Sequence, residues 1–264
     1  NFDVKTTSHG QTFSVVTGRN TVADALVAQI EAATTSIHVA SGHLRSRPVS
    51  EALLAKAAAH PEMDIRVLLD NQEYISEWTA TNQEAELAAC LAAAGDSESA
   101  VRKCLDKGFY YSYPLYAAGI PLRFKYYCYR WHYTYAVQMH HKYMVFDGRV
   151  VASGSYNLSD NAEHNTMENM VFYDSSALPD LVAAFEANFA SLWDLGEAEG
   201  LYPKLLEEID TATGPFPIVF EPMALGWEEV TVLKALIKEK CPQVTSDEFA
   251  SNPQSHTWCD PTDS

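Results

Sequence analysis

In the run Met139-His140-His141-Lys142-Tyr143-Met144-Val145-Phe146-Asp147 an imidazole stands two residues before an ammonium. In a strand alternate side chains share a face, so His140 and Lys142 point together while His141 points away. That pairing suits a phosphate: the ammonium attracts and orients the anion, and the imidazole attacks phosphorus or transfers a proton. Downstream, Ser153-Gly154-Ser155-Tyr156-Asn157 reads as a glycine turn presenting a hydroxyl at Ser155 and an amide at Asn157. Both are suitable donors to phosphate oxygens that gain charge in a transition state. Glu168, ahead of an apolar run, is of the type that accepts from an imidazole nitrogen and fixes its tautomer. Taken singly, each residue has an ordinary reading as a core His, a turn Asn or a strand-edge Glu. The joint spacing is what points to phosphoryl chemistry.

The pattern His140-x-Lys142-x4-Asp147-x6-Gly154-Ser155-x-Asn157 resembles the HKD motif of the phospholipase D superfamily. Asn161-Ala162-Glu163 and Glu168-Asn169 resemble the continuation of that motif in the family's small bacterial nucleases, and the likeness covers roughly residues 20–195. The resemblance implies that His140 is the nucleophile of a phosphohistidine intermediate. Lys142 and Asn157 would bind the phosphate oxygens with support from Ser155, Glu168 would orient the imidazole, and Asp147 would hold the turn. It also implies no metal and no cofactor. Family chemistry uses two such histidines, the second as acid for the leaving oxygen. Among nine His there is no second HxK; His43-Leu44-Arg45 comes nearest and lacks the following Asp. A homodimer with a His140 from each chain at the shared site is therefore expected.

Strands alternating with helices must position these residues. Ala23, Leu26, Val27, Ile30 and Ala33 share one helical face, and residues 36–40 read as a strand. A helix over 49–60 stops before Pro61, and 64–69 is a near-continuous apolar strand of the buried kind. A helix over 84–94 closes at Gly95; strands follow at 122–125, 138–146, 149–152 and 170–173, with Asp147-Gly148 as a hairpin turn. Leu178, Leu181, Val182, Phe185, Phe189, Leu192 and Trp193 mark a long helix. The fold class is α/β: a mixed central sheet flanked by helices on both faces, as in phospholipase D, with a C-terminal helical extension. Residues 1–196 form the catalytic domain. Residues 197–264, helical at 201–209 and 227–240, form an extension packed on it. The segment between Gly95 and Gly119 lies outside the family's minimal pattern.

The chain has 264 residues, 47% of them hydrophobic, and a net charge of −17. This is a globular composition, long enough for a sizeable core, with no apolar run that would span a membrane. The acidity argues against a polyanionic substrate until it is divided. Residues 102–149 carry eight Lys or Arg against two Asp, or +6, and the rest carry ten against 33, or −23. Lys125, Tyr129, Arg130 and Trp131 fall in this basic segment, within a run of Tyr126, Tyr127, Tyr129, Trp131, Tyr133 and Tyr135. Aromatics beside cations stack unpaired bases for about 1–3 kcal/mol each; they also suit lipid head groups at a membrane interface. An aromatic core face would look the same. Three readings follow: a nuclease acting on DNA or RNA, a phospholipase D acting on phospholipid head groups, and a silent phosphate-binding module. The single motif and the basic segment favour the nuclease.

Cys90 with Cys104 and Cys241 with Cys259 lie close in sequence, leaving Cys128 alone. Such local pairs suit an oxidising compartment, although buried free thiols fit the same spacing. The chain opens at Asn1 with no initiator Met, which fits a removed leader or a trimmed start equally, and the cysteine pairs lead to the expectation of a secreted or periplasmic protein. No cysteine or histidine spacing resembles a zinc site.

Overall fold

The computed structural model describes residues 2–7, 10–15, 21–105, 112–127, 139–194, 201–211 and 217–240. In chain order the elements are β1 (Phe2–Thr7), β2 (Gly10–Val15), α1 (Thr21–Ala32), β3 (Ser36–Ser41), β4 (Leu44–Arg45), α2 (Arg47–Ala59) and β5 (Asp64–Asp70). A 3-10 turn (Asn71–Glu73) leads into α3 (Glu77–Ala94), α4 (Glu98–Leu105), α5 (Ser112–Ala117), β6 (Leu122–Tyr127), β7 (Lys142–Phe146) and β8 (Val150–Gly154). The chain continues through β9 (Leu158–Ser159), α6 (Asp160–His164), β10 (Met170–Asp174), α7 (Pro179–Trp193), α8 (Leu201–Thr211), β11 (Pro217–Phe220) and α9 (Trp227–Lys240).

Seven strands form one sheet in the order β10-β8-β7-β3-β5-β6-β11. The centre is parallel (β3 with β5, β5 with β6), while β7, β8, β10 and β11 join antiparallel. Alternation along β3 sorts its side chains between two cores. Ile37 and Val39 enter a cluster with Leu26 and Ile30 of α1 and Val49 and Leu53 of α2. Ala40 enters the opposite cluster, with Val182, Phe189 and Trp193 of α7. His38 fastens α7 to that face: its ring stacks on Phe189 at 4.6 Å and its Nδ1 lies 2.8 Å from Glu186 Oε2. The mixed α/β sheet with helices on both faces is thus the observed architecture.

Four differences from the sequence reading have physical reasons. The stretch after α8 contains β11, which pairs with β6 as an edge strand, and an edge tolerates the proline that argued against a strand there. Leu205, Leu225, Val230 and Leu233 sink into the main core beside it. α3 begins at Glu77, where Ser76 Oγ accepts from Thr79 N–H at 3.0 Å, seven residues before the Ala-rich stretch that announces it. The segment between Gly95 and Gly119 holds two helices, α4 and α5. The hairpin β1–β2 was not anticipated at all.

Cys90 and Cys104 form a disulfide that ties α3 to α4 across 14 residues. The pairing read from spacing holds for these two, whereas Cys128, Cys241 and Cys259 lie outside the described residues. A cross-link of this loop length stabilises by about 3 kcal/mol, chiefly by restricting the unfolded chain. Reduction should therefore lower the melting temperature; a melting curve unmoved by reductant would show that the loop gains nothing from closure.

Candidate active site

The His140–Lys142 segment sits at the carboxyl end of the parallel strands, where open α/β sheets place their ligand sites. β7 begins at Lys142, so His140 and His141 precede the strand instead of lying within it. The cause is Asp70 at the end of β5. Its buried carboxylate takes Met139 N–H on Oδ2 at 2.6 Å and Gln72 N–H on Oδ1 at 3.0 Å, drawing residue 139 out of the ladder. Burial raises the pKa of Asp70, opposed by these N–H donors and by nearby His43.

The expected division of faces survives at the strand's entrance. His140 is exposed, Lys142 is buried, and Lys142 Nζ donates to His140 O at 3.2 Å. His141 turns the other way, its ring edge-on to Tyr143 at 5.4 Å. Tyr143 in turn packs on Phe185 of α7 and donates to Asn188 Oδ1 at 2.8 Å. His141 is a packing residue.

Electrostatics favour a neutral His140. Burial lowers its pKa, followed by the Lys142 ammonium and the nearby His43, with Asp70 pulling weakly the other way. Burial also lowers the pKa of Lys142, against the nearby Glu168 carboxylate. A neutral imidazole beside an ammonium is the charge state that a phosphate-attacking pair needs.

The glycine turn closes the other wall. Gly154 ends β8 where a Cβ would stand only 2.2 Å from the carbonyl oxygen of Asn169, so no larger residue fits that approach. That carbonyl accepts from Ser155 N–H and Tyr156 N–H, fixing the turn. Ser155 Oγ donates to Glu168 Oε2 at 2.5 Å and accepts from Asn169 N–H at 3.1 Å, while Glu168 Oε1 accepts from Thr166 Oγ1 at 2.8 Å. Within the chain Glu168 therefore positions Ser155; it is not bonded to the His140 ring. Asn157 Oδ1 is buried with no hydrogen-bond partner among the described residues, which leaves polar capacity at this turn unused.

Asp147 holds the β7–β8 turn from the far end of the strand. Its Oδ1 accepts from Thr34, Thr35 and Ser36 N–H at 3.0, 2.7 and 3.0 Å. Glu163, part of the motif's continuation, caps α1: its carboxylate accepts from Val22 N–H at 3.2 Å and Ala23 N–H at 3.1 Å. Negative charge at a helix N-terminus is stabilising. Nothing in local spacing could link Glu163 to a helix 140 residues earlier.

Of the four expected substrate contacts, only Lys125 falls among the described residues. It is 5% exposed and lies in register with Asp70, and burial lowers its pKa to about 8. Tyr129, Arg130 and Trp131 lie outside the described residues. Among those described, no group of three His, Cys, Asp or Glu side chains is placed to hold a metal ion, and no helix is long and apolar enough to cross a membrane.

A family model described as cardiolipin synthase, PLD-like domain, matches residues 26–193. The chain belongs to the phospholipase D superfamily. Within that superfamily it is 36% identical over 66 residues to mitochondrial cardiolipin hydrolase of Danio rerio, covering 25% of this chain and 28% of that one. It is 33% identical over 81 residues to mitochondrial cardiolipin hydrolase of Xenopus laevis, covering 31% and 33% respectively. The matched stretches thus span about a third or less of these relatives. Among solved structures, Nuc of Salmonella typhimurium, a phospholipase D family member, aligns with a TM-score of 0.42 at 18% identity, covering 65% of this chain and 86% of that one. NucT of Helicobacter pylori aligns with a TM-score of 0.42 at 16% identity, covering 72% and 95%.

Proposed function

We propose that this protein is a metal-independent phosphodiesterase that works through a phosphohistidine on His140 and cleaves DNA or RNA. The observation that carries the reading is the gathering of His140, Lys142, Ser155, Asn157 and Glu168 by β7, β8 and the turn before β10. In this reading the neutral His140 attacks phosphorus while Lys142 and Asn157 hold the non-bridging oxygens. As that bond forms, the leaving oxygen departs with a proton from a protonated His140 of a second chain, and water then displaces the histidine. The net +6 of residues 102–149 supports a polyanionic substrate.

The homodimer is part of the same proposal. Edge strand β10 and the turn before it expose Met167 (63%), Val171 (44%) and Phe172 (38%), apolar surface next to Glu168 that suits a second copy. A phospholipid substrate is the second reading, favoured by the likeness to cardiolipin hydrolases. Secretion or periplasmic residence is proposed on the Cys90–Cys104 disulfide.

Incubation with single-stranded DNA, duplex plasmid, and phosphatidylcholine or cardiolipin vesicles, all in EDTA, separates these readings. Strand cleavage that survives EDTA is expected. Head-group release without nicking would replace the nuclease by a phospholipase. Inertness toward all of them would leave neither standing.

A further inference from the structure

Sheet register places a second imidazole beside the first. β3 and β7 pair antiparallel with Ser41 opposite Lys142, and the ladder runs one step further through Gly42 N–H donating to His141 O at 3.0 Å. Continued one step more, that register would set His43 toward His140 on the face that His140 and Lys142 share, and the two rings are near enough to interact electrostatically. The strand ends approach closely here: a Cβ on Gly42 would stand 3.0 Å from Met139 O and 4.0 Å from His140 Cδ2.

His43 is held by a buried carboxylate. Its Nδ1 lies 2.9 Å from Glu73 Oε1, which also accepts from Arg45 Nε at 2.9 Å and Nη2 at 2.6 Å. The Glu73 side chain is fully buried, and its other oxygen has no hydrogen-bond partner among the described residues. A carboxylate kept in such a place is costly unless it orients something. With Nδ1–H committed to Glu73, Nε2 is the outward atom of the ring, and no hydrogen bond engages it among the described residues. The side chain is 24% exposed, so Nε2 can meet a ligand.

We propose that His43, fixed by Glu73, is a substrate-contacting residue of the same site, donating Nε2–H to a phosphate oxygen beside Lys142. This rests on the phosphodiesterase reading above and extends it. The charged and titratable groups facing His43 are His140 and Lys142 from the β7 end, Asp70 from β5, Glu73 from the following turn, and Arg45 from β4. An imidazolium attracts an anion and a neutral imidazole does not, so the anion affinity this ring contributes rises as pH falls. A clamp joining β4 to the turn would use the same hydrogen bond with Glu73 but would give no such dependence.

The test uses sulfate, whose charge stays fixed over this range, on the full His140→Asn chain, where His43 is the imidazole left on that face. Calorimetric titration should give affinity about tenfold tighter at about pH 5.5 than at about pH 8, as expected for binding coupled to one proton. Adding His43→Gln should abolish the difference, and adding His43→Lys should restore tight binding at both pH values. Melting curves establish that all three chains are folded. A pH dependence that persists in His43→Gln, or a lysine that restores nothing, overturns the proposal. Lys142→Ala in the wild-type background is the separate control: if sulfate binding ignores it, the phosphate-site reading itself has failed.

Discussion

His140→Asn lowers phosphodiester turnover by about 10⁴-fold or more, the scale on which removal of a covalent nucleophile acts, and leaves the melting temperature unchanged. The ring is exposed, and what the residue gives the fold is a backbone carbonyl that accepts from Lys142 Nζ. Asparagine keeps that carbonyl and approximates the ring's size, but it cannot form a phosphohistidine. The wild-type pH profile adds a second test of the same residue. Burial, then the Lys142 ammonium and the nearby His43, hold the His140 pKa below its ordinary 6.5. The unprotonated nucleophile therefore persists below that pH, and kcat/KM should fall only as pH drops through the lowered value. An acid limb above pH 6.5, or substantial turnover by the asparagine variant, would remove His140 from its role.

Asp147→Ala should destabilise the fold by about 2–4 kcal/mol while leaving the HxK pair chemically intact. Asp147 occupies a left-handed conformation at φ 55°, followed by Gly148 at φ 58°, as a tight hairpin turn requires. Its carboxylate takes three consecutive backbone N–H groups, from Thr34, Thr35 and Ser36, together with the hydroxyls of Thr34 and Thr35. Alanine orphans those donors and strains the positive φ. Burial alone would raise this carboxyl's pKa, but the N–H groups of Thr35, Ser36 and Thr34 outweigh it and hold it at about 2, against an ordinary 3.8. The folded value is the lower one, so this stabilisation is present above pH 3.8 and is lost as pH falls from there toward 2. Denaturant titrations at neutral pH and at about pH 2 should show the wild-type advantage over Asp147→Ala shrinking at the acid end. An equal gap at both would mean that ionisation of Asp147 contributes nothing.

These two residues also show where sequence was informative. The HxK spacing and the glycine turn could be read because they are local: alternation and the Asp147-Gly148 turn decide where each side chain goes over a few residues. The sheet strands at 36, 64, 122 and 170 could be read for the same reason, as apolar runs bounded by glycine, proline or acidic residues. What sequence missed is carried by long-range contacts. Asp70 reaches Met139 across 69 residues and keeps His140 outside the strand; Glu163 reaches Val22 across 141. Glu168 reads in sequence as a partner for the imidazole, yet it accepts from Ser155 Oγ, in a turn held by the close approach of Gly154 to Asn169. His43 was set aside for lacking a downstream Asp, yet the pairing of β3 with β7, not motif, brings it near His140. β11 escaped because a proline-bearing edge strand has no distinctive pattern of its own.

The covalent intermediate is the most direct test of the account. A single turnover of whichever phosphodiester the protein cleaves, in EDTA and quenched in alkali to preserve a phosphorus–nitrogen bond, should leave a substrate adduct on the peptide containing His140. The adduct should appear and decay at the rate of turnover and be absent from His140→Asn. Cleavage proceeding at full rate with no adduct at His140, or with the adduct on another residue, would contradict it.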